Sequence, residues 1–202
     1  MYSPILVTPP AIKPVTVEYV KKHSLIDHDE QDDVIDLLID AATTHLDGWT
    51  GTLGRALCEQ TWRQDYDDFC SRLRLPLGPV ISLASVKYID TDGAEQTVSA
   101  AEYTLRTDSL GSYVEFGSDY SFPALNAAEA AVSVQFVAGY ADSGEGENRV
   151  STVPAAIKHA IVLLVAHWFE NREAVMTGQG SAAVALPMGV DALLAPYRRI
   201  HI

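Results

Sequence analysis

The run DHDEQDD over residues 27–33 gathers more metal-ligating side chains than any other stretch of the chain. Asp27, His28, Asp29 and Asp32 offer oxygen and imidazole donors to a divalent cation. The run lacks the alternating oxygen positions and central glycine of a calcium loop, and the same acids suit a helix start, where the dipole favours negative charge. Asp90 and Asp92, beside Gly93, read in the same way as turn formers before ligands. His159 and His167 lie eight positions apart on one helical pattern. That is two turns, more than about 10 Å of axial rise, too far to share one ion. His167, Glu170 and Glu173 do share a polar strip, which suits either an acid–base pair or an i,i+3 face turned to water or to a neighbouring subunit. Arg172 beside them is placed to bridge to an acid on another element. Cys58 and Cys70, the two cysteines, have no CxxC or histidine partner at ligand spacing and are expected as small buried hydrophobes kept reduced. The signatures GxSxG, HExxH and GxxxxGK[ST] do not occur. A metal-dependent hydrolase using the acidic or histidine clusters stays open as an alternative, and no cofactor is expected.

These side chains must be held by elements, and the plainest element is the run PAAIKHAIVLLVAHWFENREAV from residue 154 to 175. At helical spacing Ile157, Ile161, Leu164, Val165 and Trp168 form a core face. Val162, Ala166 and Phe169 form a second apolar strip on the opposite side, among Lys158, His159, Glu170 and Glu173. A helix apolar on two faces is either the central helix of its own core or one shared between subunits. The shared reading is preferred here and makes Val162, Ala166, Phe169, Glu170 and Glu173 the expected subunit interface. A shorter helix is expected near residues 16–23. A stronger one starts at an Asp27 or Asp29 cap and lines Val34, Leu38, Ala41, Ala42, His45 and Trp49 along one face. Opposite lies an acidic stripe, Asp33, Asp36, Asp40 and Asp47, read as a solvated face or as the lining of a channel.

From about residue 57 to 140 the period changes to two. Strands are expected over 61–66, 72–75, 85–90, 95–98, 103–106, 113–116 and 131–137, with a hairpin turn at Asp92-Gly93. The fold class that follows is α+β, a mainly helical core with an inserted antiparallel β-rich region. The domain plan is a Pro-rich extended arm over 1–14, a helical core over 15–56 and 153–202, and the β-rich insert over 57–152. A last short helix is expected over 188–195. The tail after it, Tyr197, Arg198, Arg199, Ile200, His201 and Ile202, carries the one concentrated positive charge and reads as a frayed end or as a peg for an acidic socket.

At 202 residues, 48% of them hydrophobic, the chain can bury a sizeable core, and no stretch reaches the roughly 20 apolar residues of a membrane span. No membrane partner is expected. A formal net charge of −13 opposes an ordinary DNA-binding surface, though a conduit through which a duplex slides has reason to repel phosphates. The N-terminal stretch has no basic leader ahead of an apolar core, so residence in the cytoplasm of the producing cell, or export inside a larger particle, is expected.

Several segments together resemble the head-tail connector, or adaptor, proteins of long-tailed bacteriophages and gene transfer agents. They are LLIDAAT, WTGTLGRAL, CEQTWRQDYDDF, LRLPLGPVISLASVKYIDTDG, AEYTL, VQFVAGY, VPAAIKHAIVLLVAHWFENREAV and LPMGVDALLAPYR, in that order. The resemblance implies a structural protein with no catalytic role. It implies a homo-oligomeric ring, usually a dodecamer, beneath the portal protein in the neck of a virion or phage-like particle, built in the host cytoplasm. Such a ring joins capsid to a tail-side stopper or tail terminator and continues a channel through which DNA passes without sequence-specific binding. It also makes residues 197–202 the portal-docking segment. The resemblance does not extend to the 1–14 arm or the 177–187 loop. A monomeric interaction module is the remaining alternative.

Overall fold

A computed structural model describes residues 2–127, 129–171 and 188–199. The chain forms two compact units, Met1–Ala11 with Arg55–Asp142, and Ile12–Gly54 with Ser143–Ile202.

The first unit is built from strands. Strands β1 (Ile5–Thr8), β2 (Gln60–Tyr66), β4 (Val80–Ile89), β5 (Glu95–Thr97) and β8 (Val132–Ala138) make a five-stranded sheet in the order β1-β2-β8-β4-β5. Strands β3 (Arg72–Arg74), β6 (Tyr103–Asp108) and β7 (Gly111–Phe116) make a second sheet in the order β3-β7-β6. All pairings within the two sheets are antiparallel. Alternation explains the central strand: Val132, Val134, Phe136 and Ala138 of β8 are buried while Ser133, Gln135 and Val137 are half-buried. An aromatic cluster joins the two sheets, with Phe69 edge-on to Tyr88 of β4 at 5.7 Å and to Phe116 of β7 at 5.6 Å. The hairpin between β4 and β5 turns at Gly93, whose φ of +82° is the conformation expected of it. Asp90 holds that turn, its carboxylate accepting from Asp92 N at 3.0 Å, Ala94 N at 2.9 Å and Gln96 Nε2 at 2.9 Å.

The supposed arm is a strand. Residues 5–8 pair with β2, Leu6 opposite Trp62, with a bulge between Leu6 and Thr8. Gln64 Nε2 donates to the carbonyl of Tyr2 at 2.8 Å and fixes the segment just ahead of it. The flanking prolines mark the ends of the strand, not an unpaired segment.

The second unit holds α1 (Val17–Ser24), α2 (Asp32–Leu46), α3 (Ala155–Glu170) and α4 (Met188–Leu194). Thr16 caps α1, its side chain accepting from Tyr19 N at 3.3 Å. Helix α2 starts later than the Asp27 or Asp29 cap implies. Gln31 stands at the cap without a side-chain bond, and Asp32 and Asp33 occupy the first turn. Its buried face is Ile35, Ile39, Ala42 and Leu46. Val34, Ala41 and His45 are exposed and Leu38 is half-buried, so the expected face is rotated by one position.

Helix α3 packs against α1, α2 and α4. Ile157, Ala160, Ile161, Val162, Leu164 and Val165 are all buried, which makes it the central helix of this unit. The expectation of a mainly helical core is corrected in the same way: among the described residues eight strands stand beside four α-helices, and the fold is mixed α and β with antiparallel sheets.

Candidate functional site

The acidic run holds a cation from its own chain. Lys21 Nζ lies 2.8 Å from Asp32 Oδ1 and also pairs with Asp29, and Lys13 Nζ bridges Asp36 at 2.8 Å and Asp40 at 2.7 Å. The hydrogen bonds that Lys21 donates to Asp29 and Asp32 raise its pKa. Desolvation opposes the Lys13 charge, yet its bonds to Asp36 and Asp40 outweigh it, and its pKa is raised as well. Of the four stripe acids, Asp33 is exposed and accepts from Val34 N at 2.8 Å, and Asp47 is half-buried. The structure therefore divides the stripe: Asp36 and Asp40 spend their charge on Lys13. Among the described residues no three His, Cys, Asp or Glu side chains converge as metal ligands do.

His159 and His167 find separate partners. His159 stacks edge-on against His23 of α1 at 5.5 Å, while His167 Nδ1 lies 3.3 Å from Asn171 Nδ2. Cys58 is buried as expected, but Cys70 is exposed, donating Sγ–H to the Arg72 carbonyl at 2.8 Å.

The expected subunit strip on α3 needs a correction. Val162 has no accessible surface within its own chain. It cannot be a bare interface residue. Ala166 and Phe169 are half-buried and Glu170 is exposed, while Arg172 and Glu173 lie outside the described residues. The second apolar strip is thus buried at Val162 and becomes half-buried toward Ala166 and Phe169.

The tail is anchored at its root. Arg198 Nη2 lies 2.7 Å from Asp191 Oδ1 of α4, and the Arg199 amide donates to the Leu53 carbonyl at 3.0 Å. Tyr197 is half-buried at the end of a 3₁₀ turn. Ile200, His201 and Ile202 lie outside the described residues.

Sequence reasoning missed an arginine-bearing face on the three-stranded sheet. Arg72 and Arg74 of β3 each place a guanidinium 5.2 Å from the Tyr113 ring centroid. Arg72 and Arg106 flank Glu115 at 3.4 and 3.3 Å, and Arg74 grips Asp108 with two bonds of 2.7 and 2.6 Å. That grip holds the Asp108 carboxyl down at about 2. The Arg-x-Arg alternation over 72–74 was the available signal. An open cleft of about 470 Å³ beside this face is lined by Arg72, Arg106, Glu115 and Phe116 among others. Its charges are satisfied by one another, which suits a rigid surface more than a reacting centre.

Two compact units, one a pair of antiparallel sheets and the other packed around a central apolar helix, define a mixed α and β fold with antiparallel sheets. A family model described as "Head completion protein" matches residues 14–200, and the chain belongs to that family. No individually curated protein matches it significantly. Three solved structures share its fold over nearly the full length of both chains. One is described as "Neck of empty GTA particle computed with C6 symmetry", with 21% identity, a TM-score of 0.73, and coverage of 100% of this chain and 97% of that one. A second is "Virion of native gene transfer agent (GTA) particle", with 21% identity, a TM-score of 0.70, and 98% and 96% coverage. The third, "Neck of native GTA particle computed with C12 symmetry", has 20% identity, a TM-score of 0.65, and 98% and 97% coverage.

Proposed function

We propose that this chain is a structural joint between the head and the tail of a phage-like particle, located in the neck. Its copies form a ring under the portal, the ring continues the DNA channel, and a stopper or tail terminator docks on its far side. The observation that carries this reading is family membership over residues 14–200. A fold shared end to end with chains of particle necks solved under sixfold and twelvefold symmetry supports the ring. The chain works by holding surfaces in place, without a catalytic step. Within that role the end of α3, with Ala166, Phe169 and Glu170, is proposed as one subunit contact. The tail over residues 197–202, rooted by the Arg199–Leu53 bond, is the portal-docking segment. Asp33, exposed and in no ion pair among the described residues, is the stripe acid proposed for a channel wall. The test is genetic. Particles made without this chain should accumulate as heads lacking tails, and supplying the chain in trans should restore joining. Normal tailed particles in its absence would contradict the proposal.

A further inference from the structure

Most edge strands in native proteins are blunted by charge, by proline or by a covering loop. Within residues 5–8 the edge strand β1 of the five-stranded sheet carries neither a charge nor a proline, though it is short, flanked by prolines and bulged between Leu6 and Thr8. Its four residues, Ile5 to Thr8, are uncharged and exposed, with Ile5 45%, Leu6 44% and Val7 47% accessible, so apolar side chains emerge on both faces. At the opposite end of the sheet β5 covers only part of β4. It pairs with residues Lys87 to Ile89, and Val98 N adds a bond to the Val86 carbonyl. Residues 80–85 of β4, VISLAS, bond to β8 on one side and have no strand beside them on the other among the described residues. They too are uncharged; Ile81 is 37% exposed, Ser82 and Ala84 are exposed, and Leu83 is half-buried.

These two open edges fit one another. Three successive antiparallel pairings, β1 with β2, β2 with β8 and β8 with β4, set β1 and β4 running in opposite directions. A copy placed so as to continue the sheet keeps its strand directions, so its β1 meets the open half of β4 antiparallel. The contact joins two different edges, head to tail, and is therefore of the kind that closes into a ring. The two register shifts in β4, at Val80/Ser82 and Leu83/Ser85, fall within this half.

We infer that β1 of one subunit adds as an extra strand beside residues 80–85 of β4 in a second copy of this chain, joining neighbouring five-stranded sheets. The inference rests on the ring reading above and names the surface through which that ring closes. Hydrogen exchange on the full-length chain, free and assembled on its portal, tests it. Amides of residues 5–8 and of 80–85 should both exchange at least tenfold more slowly in the assembly. The double variant Leu6→Lys, Val7→Lys, with β2 and β8 amides as protected as in the parent, should remain monomeric. A ring that forms while both segments exchange at the free rate, or a double variant that assembles like the parent, overturns the inference and leaves the neck role standing. Protection of 5–8 alone would mean a different partner on β1 and would equally overturn it. A parent chain that never assembles on the portal removes the ring itself, and this contact with it.

Discussion

Gly139 has φ of +122°, and a Cβ built there would lie 2.2 Å from the Cys58 carbonyl oxygen. Only glycine accepts both conditions. Gly139→Ala should therefore destabilise the protein by roughly 1–3 kcal/mol in denaturant unfolding, and a loss below about 0.5 kcal/mol, the range of an ordinary surface change, would contradict this account of the site. Asp108 supplies a second check at the same scale. The Arg74 hydrogen bonds lower its pKa to about 2, below the ordinary carboxylate value. A carboxylate lowered in the fold stabilises it above the ordinary value and loses that contribution as pH falls toward 2. Carboxyl NMR should follow Asp108 through a midpoint near 2, and Arg74→Met should move the midpoint up into the ordinary range. An unmoved midpoint would mean that the Asp108 charge is held by something other than Arg74. The same residue-level logic shows why the acidic run could not be read from sequence. Asp29, Asp32, Asp36 and Asp40 look alike along the chain, and only the fold brings Lys21 and Lys13 among them.

Elements were legible where one periodicity dominated. Strands β2 to β8 each overlap an expected stretch of period two, because a half-buried antiparallel strand must alternate, although β4 begins at Val80, ahead of the expected start at 85. Strand β1 was lost because prolines at 4, 9 and 10 enclose four residues, too few to establish a period. Helix α2 was found, but its face was rotated. VI and LLI supply adjacent apolar positions, and packing chose Ile35, Ile39, Ala42 and Leu46, leaving Leu37 68% exposed. Helix α3 illustrates a deeper limit: a helix apolar all round does not state whether its own chain or another covers it, and here Val162 is fully buried within its own chain. The consequence separates two substitutions on that helix. Val162→Ala should cost about 2 kcal/mol of stability through lost burial and the cavity left behind. Phe169→Asp, near the open end, should leave a folded monomer that no longer enters particles. Sizing chromatography and thermal melting distinguish the two; a Phe169→Asp chain that forms normal rings would remove the end of α3 from the interface.

At the scale of the whole molecule, a formal net charge of −13 is a statement about neighbours more than about folding. Copies of so acidic a chain repel one another over long range, so the surfaces that join them must be locally neutral. The uncharged residues 5–8 of β1 and 80–85 of β4 meet that condition. In the proposed channel, the same excess of negative charge opposes adhesion of a passing duplex to the wall. Reversing Asp33 to Lys should slow genome passage while leaving ring formation intact, measured as delivered DNA per assembled particle; unchanged delivery would return that residue to a solvated face. The neck of the intact particle is where the account is decided. Cryo-electron microscopy of that region should show a closed ring of this chain in contact with the portal and surrounding the DNA path. A neck in which this chain is absent, or is present as isolated copies away from the channel, would contradict it.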